Sequence, residues 1–214
     1  MGKKHLVWRL LCSDFLSNLA TSLAAKIISL WFVLAVFGEE RSVPWVSGFL
    51  TVIAVAQLLA GLFTGTVSDR HDPIATMTMA CLVRAVASAG IIAILVFCPT
   101  GGLAAVLAVI ALAIIEAMCD TAYLPAAASV SHRLADGREL VRLLGWLRFF
   151  ALIGSMVGPV LAGMGADRGW FAGTMVLETA ALLVAVLILA PIRHSISRQT
   201  AGSAEGFWVT WKAG

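Results

Sequence analysis

The chain has 214 residues, of which 60% are hydrophobic and only 13% are charged, and its formal net charge is +3. Soluble domains carry about 25% charged residues, so this composition excludes a water-soluble globule and indicates an integral membrane protein. The lipid bilayer is therefore the expected surrounding of most of the chain, and the small net charge gives no sign of a nucleic-acid partner.

Six apolar segments are long enough to cross a bilayer as helices, which takes about 20 residues each. No sustained alternation of apolar and polar residues is present, which argues against a membrane β-barrel. We predict an all-α membrane protein whose six-helix bundle occupies residues 1–192. The predicted spans are 10–37, 44–68, 74–97, 103–128, 144–165 and 170–191.

Basic residues are distributed unevenly between the two sets of connecting segments. If the N-terminus is cytoplasmic, ten Lys and Arg residues fall in cytoplasmic segments and only Arg41 and Arg168 lie outside. Because cytoplasmic loops are enriched in Lys and Arg, we expect a multi-pass protein of the cell (plasma or inner) membrane with both termini cytoplasmic. Residues 193–214 are predicted to be cytoplasmic. They form a linker that leads either into an interfacial helix with Phe207, Trp208 and Trp211 or into a disordered tail.

The first span carries polar residues on one helical face, at Asp14, Asn18 and Thr21. A charge at the centre of a span costs about 2.5–3.5 kcal/mol on insertion scales, so each such residue is a candidate for a functional role. We therefore regard Asp14 and Asn18 as candidates for a substrate or proton pathway. The alternative is that Asp14 is a helix-end charge near the cytoplasmic interface.

Two short motifs lie in the chain after this span. The stretch GTVSDRHDP after the second span contains Gly65, Asp69, Arg70 and Asp72. The stretch GSMVGPVLAG in the fifth span contains Gly154, Gly158, Pro159 and Gly163. The first resembles the G-x-x-x-D-R-x-G-R-[RK] signature of the major facilitator superfamily, with Asp72 for the second glycine and Pro73 for the usual arginine. The second resembles the superfamily's antiporter motif, G-x-x-x-G-P-x-x-G-G, with Ala162 for one glycine.

This resemblance carries expectations for fold and mechanism. It implies the N-terminal six-helix half of a transporter, built from two inverted three-helix repeats and working by alternating access. It also implies that the Asp and Arg of the first motif gate the cytoplasmic side and that the fifth span belongs to the rocking interface. The spacing D-R-x-D is similar to the branch that holds macrolide-efflux and siderophore-export proteins. Such transporters have two halves, so the expected partner is a C-terminal six-helix half or a second copy.

The fourth span places Glu116, Asp120 and Tyr123 on one face, at i, i+4 and i+7. Two carboxylates one turn apart repel each other, and we expect one of them to hold a proton near neutral pH. Such an acid suits a proton-coupled exporter, and the alternative is a carboxylate that serves as a structural ion-pair partner.

Charged residues also occur at matching depths in different spans. Arg84 and Glu116 lie about 15 and 18 Å from the cytoplasmic ends of their helices, and Lys26 and Glu178 about 16 and 12 Å from the outer ends. Because the implied inverted repeat relates these helices, we predict two intramembrane ion pairs, Arg84–Glu116 and Lys26–Glu178. The alternative is that Arg84 pairs with Asp120 and Glu116 carries a proton.

The sequence contains no H-E-x-x-H, G-x-S-x-G or Walker motif and no metal-ligand cluster, so we expect neither an enzyme nor a metal or cofactor. The function predicted is secondary active transport, with proton-coupled efflux of small amphipathic compounds or drugs. The alternatives are a siderophore or other metabolite exporter of the same fold and a truncated six-helix protein that does not transport.

Overall fold

The computed structural model describes residues 3–68 and 72–213, with side chains described at all of these positions except 3, 39–41, 63, 65–68 and 193–213. Within these residues the chain forms helices and no strand. The helices are α1 (Lys3–Trp31), α2 (Glu39–Ser68), α3 (Pro73–Phe97), α4 (Leu103–Leu134), α5 (Gly137–Asp167) and α6 (Phe171–Ala213), and a π-helical segment, Phe32–Phe37, extends α1. All six contain a stretch long and apolar enough to cross a membrane, so the prediction of an all-α membrane protein is confirmed.

Helix α6 is longer than its membrane-crossing part. The apolar stretch ends at Ile192, and the helical backbone continues to Ala213. This continuation coincides with the predicted linker, 193–214. Its side chains lie outside the described residues, so the interfacial position of Phe207, Trp208 and Trp211 stays a prediction.

The start of α3 explains why the first motif departs from the superfamily pattern. The Asp72 side chain accepts a hydrogen bond from the backbone N–H of Ile74 at 3.3 Å, and Pro73 is the first helical residue. An Asp cap followed by proline is a favoured helix start, because proline has no N–H to leave unsatisfied. Gly65 lies in the last turn of α2, whereas Asp69 and Arg70 lie outside the described residues, so their gating role stays a prediction.

The packing of the helices follows a twofold pattern. Helix α1 packs on α5 and α6, α3 packs on α4 and α6, and α2 packs on α4. If α1–α3 are exchanged with α4–α6, the α1–α5 contact becomes the α4–α2 contact and the α3–α4 contact becomes the α6–α1 contact. This pattern is the one expected of two inverted three-helix repeats, which together form half of a major facilitator fold.

The core consists of two apolar clusters, one towards each end of the bundle. The cluster near the start of α1 includes Leu10, Met77 and Leu189, and the cluster at the opposite end includes Trp31 and Ile91. Buried polar residues lie at the middle of the bundle, partly among residues of the first cluster, such as Leu11 and Ala20, and partly between the two clusters. This polar belt consists of Ser13, Asp14, Ser17, Arg84, Ser88, Glu116 and Glu178.

Glycines of the fifth-span motif bring α5 against the backbone of α1. A Cβ atom at Gly154 would lie 2.8 Å from the carbonyl oxygen of Phe15, and one at Gly158 would lie 2.9 Å from the backbone nitrogen of Leu23. No atom lies within 4 Å of a Cβ built at Gly163. Small residues let helix backbones approach closely, so two of the motif's glycines serve this contact and the third does not.

We expect Gly154→Ala to destabilise the bundle by about 1–3 kcal/mol, because the new methyl group would press on backbone atoms of α1 that cannot rotate away. Gly163→Ala is the matched control, and it should leave stability unchanged or raise it by about 0.4–1 kcal/mol. Thermal unfolding of the purified protein in detergent measures both effects. Equal melting temperatures for the two variants would contradict the close contact between α1 and α5.

Candidate functional site

Arg84 on α3 is the most deeply buried cation among the described side chains, with 1% of its surface exposed. Its Nη1 atom donates to the hydroxyl of Ser17 at 2.8 Å and contacts Oδ1 of Asp120 at 2.9 Å. Its Nη2 atom donates to the hydroxyl of Thr21 at 2.7 Å. The guanidinium therefore joins α1, α3 and α4 at the level of the polar belt.

Asp120 supplies the charge that neutralises Arg84. Thr21 also lies within hydrogen-bonding distance of this carboxylate, with its hydroxyl 2.8 Å from Oδ1. The Asp120 side chain keeps 27% of its surface exposed, so one side of the ion pair is buried and the other faces open space. The predicted pair Arg84–Glu116 is therefore wrong, and the alternative partner, Asp120, is the one observed.

Glu116 lies one turn before Asp120 on α4 and is buried, but it is not paired with Arg84. In the part of the chain that the structure describes, its Oε1 atom has no hydrogen-bond partner. The charges of Arg84 and Glu178 both act on it, one attracting and one repelling a carboxylate. Glu116 is thus a buried acid whose nearest cation is already neutralised.

Glu178 on α6 is fully buried, and its Oε2 atom accepts a hydrogen bond from Ser88 of α3 at 2.9 Å. Lys26 is exposed on α1, and among the described side chains no ion pair joins it to Glu178. The predicted pair Lys26–Glu178 is therefore wrong. The two residues lie at similar depths, but Lys26 points away from the polar belt.

A cavity of about 80 Å³ opens beside the ion pair, between α1, α2, α3 and α4. Arg84, Glu116 and Asp120 lie on its wall together with Thr21 and the amide of Gln57. The rest of the wall is apolar and consists of Ala24, Ala25, Ile28, Phe49, Ile53, Ala113 and Ala117. This cavity, the ion-pair cavity, combines a charged side with a hydrocarbon side.

A second cavity, of about 220 Å³, lies between α1, α4 and α5. Asp14 and Arg148 line it, and the remaining wall is apolar, with Leu124, Leu144 and Leu147 among its residues. Asp14 is 4% exposed and lies about 16 Å along α1 from Lys3, so it is no helix-end charge. Both cavities are lined by α1 and α4, at different heights along these two helices.

Two of the predicted pathway residues contact neither cavity. Asn18 donates its side-chain amide to the backbone carbonyl of Asp14 at 2.8 Å. Tyr123 is buried in the apolar cluster, and its hydroxyl lies 2.8 Å from that of Ser13. Both side chains make hydrogen bonds inside the bundle. Neither therefore lies on a cavity wall, as the side chains of Asp14, Glu116 and Asp120 do.

Sequence reasoning missed several residues that shape the site. Ser17 precedes Thr21 by one turn of α1, and both hydroxyls accept hydrogen bonds from Arg84. The i, i+4 spacing of two hydroxyl residues was the sequence feature that could have indicated this arginine-binding face. Ser88 follows Arg84 by one turn on α3 and binds Glu178. Arg148 and Gln57 gave no comparable signal, because nothing in the sequence shows that they face a cavity.

The fold and the site together define a class of protein: a multi-pass membrane bundle of inverted repeats with charged residues at its mid-height. Residues 4–213 match the family model of the Major Facilitator Superfamily. This match covers nearly the whole chain, so the chain belongs to that superfamily, whose members are membrane transporters and not, in general, enzymes. No curated protein matches the chain closely enough to count as a relative.

The Arg84–Asp120 pair makes a testable prediction about charge removal. Asp120→Ala should lower stability by about 3–5 kcal/mol, because it leaves the guanidinium buried without a counter-charge. Adding Arg84→Ala to this variant should recover much of the lost stability. Adding Glu116→Ala to Arg84→Ala should recover none of the stability that Arg84→Ala alone loses. Expression and thermal stability in detergent report both results. Rescue by the Glu116 combination and not by the Asp120 combination would contradict the observed pairing.

Proposed function

We propose that the chain is the N-terminal half of an exporter that moves small amphipathic compounds outward in exchange for protons. The observation that carries this proposal is Glu116, a buried carboxyl group beside a cavity. Among the described residues one of its oxygens has no hydrogen-bond partner and no cation forms an ion pair with it. Exchange against protons requires an acid that binds a proton in one conformation and releases it in another. Glu116 has the position and the lack of a partner that this task needs.

The charge balance at the polar belt supports this role. Arg84 is neutralised by Asp120, so Glu116 and Glu178 remain as further buried acids near a single guanidinium. A carboxylate without a counter-ion is too costly to keep ionised in an apolar interior, and such a group instead takes up a proton. A change of water access at the cavity would then release the proton, because water stabilises the charged form.

The lining of the ion-pair cavity supports an amphipathic substrate. Apolar side chains, including Phe49 and Ile53, form one part of the wall, and the carboxyl groups of Glu116 and Asp120 lie opposite. Binding sites for small molecules commonly combine a hydrophobic lining with a few placed polar groups. At about 80 Å³ the ion-pair cavity is smaller than the roughly 300–1,000 Å³ of a site for a drug-sized ligand, so in this proposal it holds only the polar or positive end of such a compound.

Alternating access supplies the movement. Helices α1 and α4 line both cavities, and a second six-helix half, or a second copy, would close the other side of a shared pathway. In this proposal the loop motif with Asp69 and Arg70 holds the cytoplasmic side shut, and the α5 motif with Gly158 and Pro159 lies where the halves rock. The orientation, with both termini cytoplasmic, rests on the basic residues of the loops.

The test is transport by the complete two-half protein in inverted vesicles, with and without a pH gradient, across a panel of drugs and siderophores. We expect the gradient to drive accumulation of amphipathic drugs. Glu116→Gln should reduce the rate of gradient-driven accumulation about tenfold or more, which corresponds to about 1.4 kcal/mol of activation free energy. Exchange of substrate across the membrane without a gradient should persist.

Asp167→Asn is the matched control, because Asp167 is an exposed carboxylate at the end of α5 that lines neither cavity. It should transport as the unmodified protein does. The same pH-gradient dependence in Glu116→Gln and in the control would contradict proton coupling through Glu116. Accumulation of siderophores and not of drugs would favour the metabolite exporter.

A further inference from the structure

The largest of the cavities described lies at the end of the bundle where α1 begins, α4 ends and α5 begins. Its volume is about 660 Å³, and it shares no lining residue with the ion-pair cavity or with the cavity of Asp14 and Arg148. Two facing helical stripes form its walls, one on α1 and one on α5. The transport proposal makes no use of this end cavity.

Polarity changes in the same order along both stripes of the end cavity. On α1 the order is Lys4, then Trp8, then Leu11, over about 10 Å of helix. On α5 it is Glu139 and Arg142, then Trp146, then Phe150, over about 17 Å. Each stripe therefore runs from charged residues at the end of the bundle through an indole ring to a hydrocarbon side chain. The charged residues of the lining are two cations, Lys4 and Arg142, and one carboxylate, Glu139.

The aromatic side chains of the end cavity pack on one another and make a continuous wall. The rings of Trp8 and Phe150 meet edge to face with centroids 6.2 Å apart, and Trp146 lies 6.2 Å from Phe150. Trp8 and Trp146 nevertheless keep 58% and 41% of their surfaces exposed. Exposed indole rings at the ends of membrane spans are typical of the level where lipid headgroups meet the acyl chains.

We propose that the end cavity binds an anionic phospholipid, with its phosphate between Lys4 and Arg142 and the start of an acyl chain on Leu11 and Phe150. Arg and Lys donate charge-assisted hydrogen bonds to phosphate oxygens, and basic pockets between spans are suited to lipid headgroups. The order charged residue, indole, hydrocarbon along both walls is the order headgroup, interface, acyl chain of such a lipid. A bound lipid would join the first turns of α1 and α5.

Other occupants fit the end cavity less well. A free phosphate ion would satisfy Lys4 and Arg142 but would leave the wall of Trp8, Trp146 and Phe150 without an apolar partner. A zwitterionic lipid would cover the wall, but its headgroup has no net charge and would not offset the excess of positive charge that Lys4 and Arg142 give the lining over Glu139. An anionic lipid satisfies both the charge and the hydrocarbon of the cavity.

The experiment is native mass spectrometry of the purified protein, titrated in detergent with phosphatidylglycerol or phosphatidylcholine and then challenged with inorganic phosphate. The test variant carries Lys4→Gln and Arg142→Gln. The matched control carries Arg133→Gln and Arg138→Gln, which remove the same charge from exposed residues at the same end of the bundle that do not line the cavity. Melting temperature in detergent confirms that each variant is folded.

The unmodified protein and the control should retain phosphatidylglycerol in preference to phosphatidylcholine. The test variant should bind phosphatidylglycerol about 30-fold more weakly, the factor that two basic contacts contribute to anionic-lipid binding. Equal retention of both lipids by the unmodified protein would overturn the proposal without recourse to any variant. Equal weakening of phosphatidylglycerol binding in the test and control variants would overturn it as well. Displacement of the lipid by millimolar phosphate would also overturn it, because it would indicate a site for the anion alone.

Discussion

A single buried guanidinium organises the middle of this bundle. Arg84 is held by the carboxylate of Asp120 on α4 and by the hydroxyls of Ser17 and Thr21 on α1. A guanidinium in hydrocarbon is costly unless its charge is paired and its terminal N–H groups are bonded, so these helices must meet at this height. Among the described residues, the Nε atom of Arg84 has no hydrogen-bond partner. The apolar clusters above and below then fill the space that the polar belt leaves.

The same constraint determines what the other acids can do. Because Asp120 pairs with Arg84, Glu116 and Glu178 lie near the guanidinium without a charge partner of their own among the described side chains, and Glu178 has Ser88 as its hydrogen-bond donor. Glu116 differs from Glu178 in one respect that matters for transport, since it lines a cavity. The bundle therefore places one acid on the wall of a cavity and one where its neighbours enclose it.

The number and type of the helices followed from the sequence, because a span of about 20 apolar residues has few alternatives to a helix in a bilayer. The partners of the charged residues did not follow from the sequence, because depth along a helix does not give the direction in which a side chain points around the helix axis. Lys26 lies about 140° around α1 from Thr21, which turns it away from Arg84 and from the polar belt. Both Glu116 and Asp120 lie at a depth that Arg84 can reach. The hydroxyls of Ser17 and Thr21 on α1 bind the guanidinium where it meets Asp120. Cavities depend on side chains of several helices, so Arg148 and the end cavity could not be inferred from spacing.

The most direct test of this account is the protonation state of the buried acids. Infrared spectroscopy of the purified protein at neutral pH should show the carbonyl absorption of protonated carboxylic acids, shifted by deuterium exchange. The account predicts that Glu116→Gln removes part of this absorption and that Asp120→Asn, which replaces the ionised partner of Arg84, does not. An absorption that is absent from the unmodified protein, or that disappears with Asp120 and not with Glu116, would contradict it.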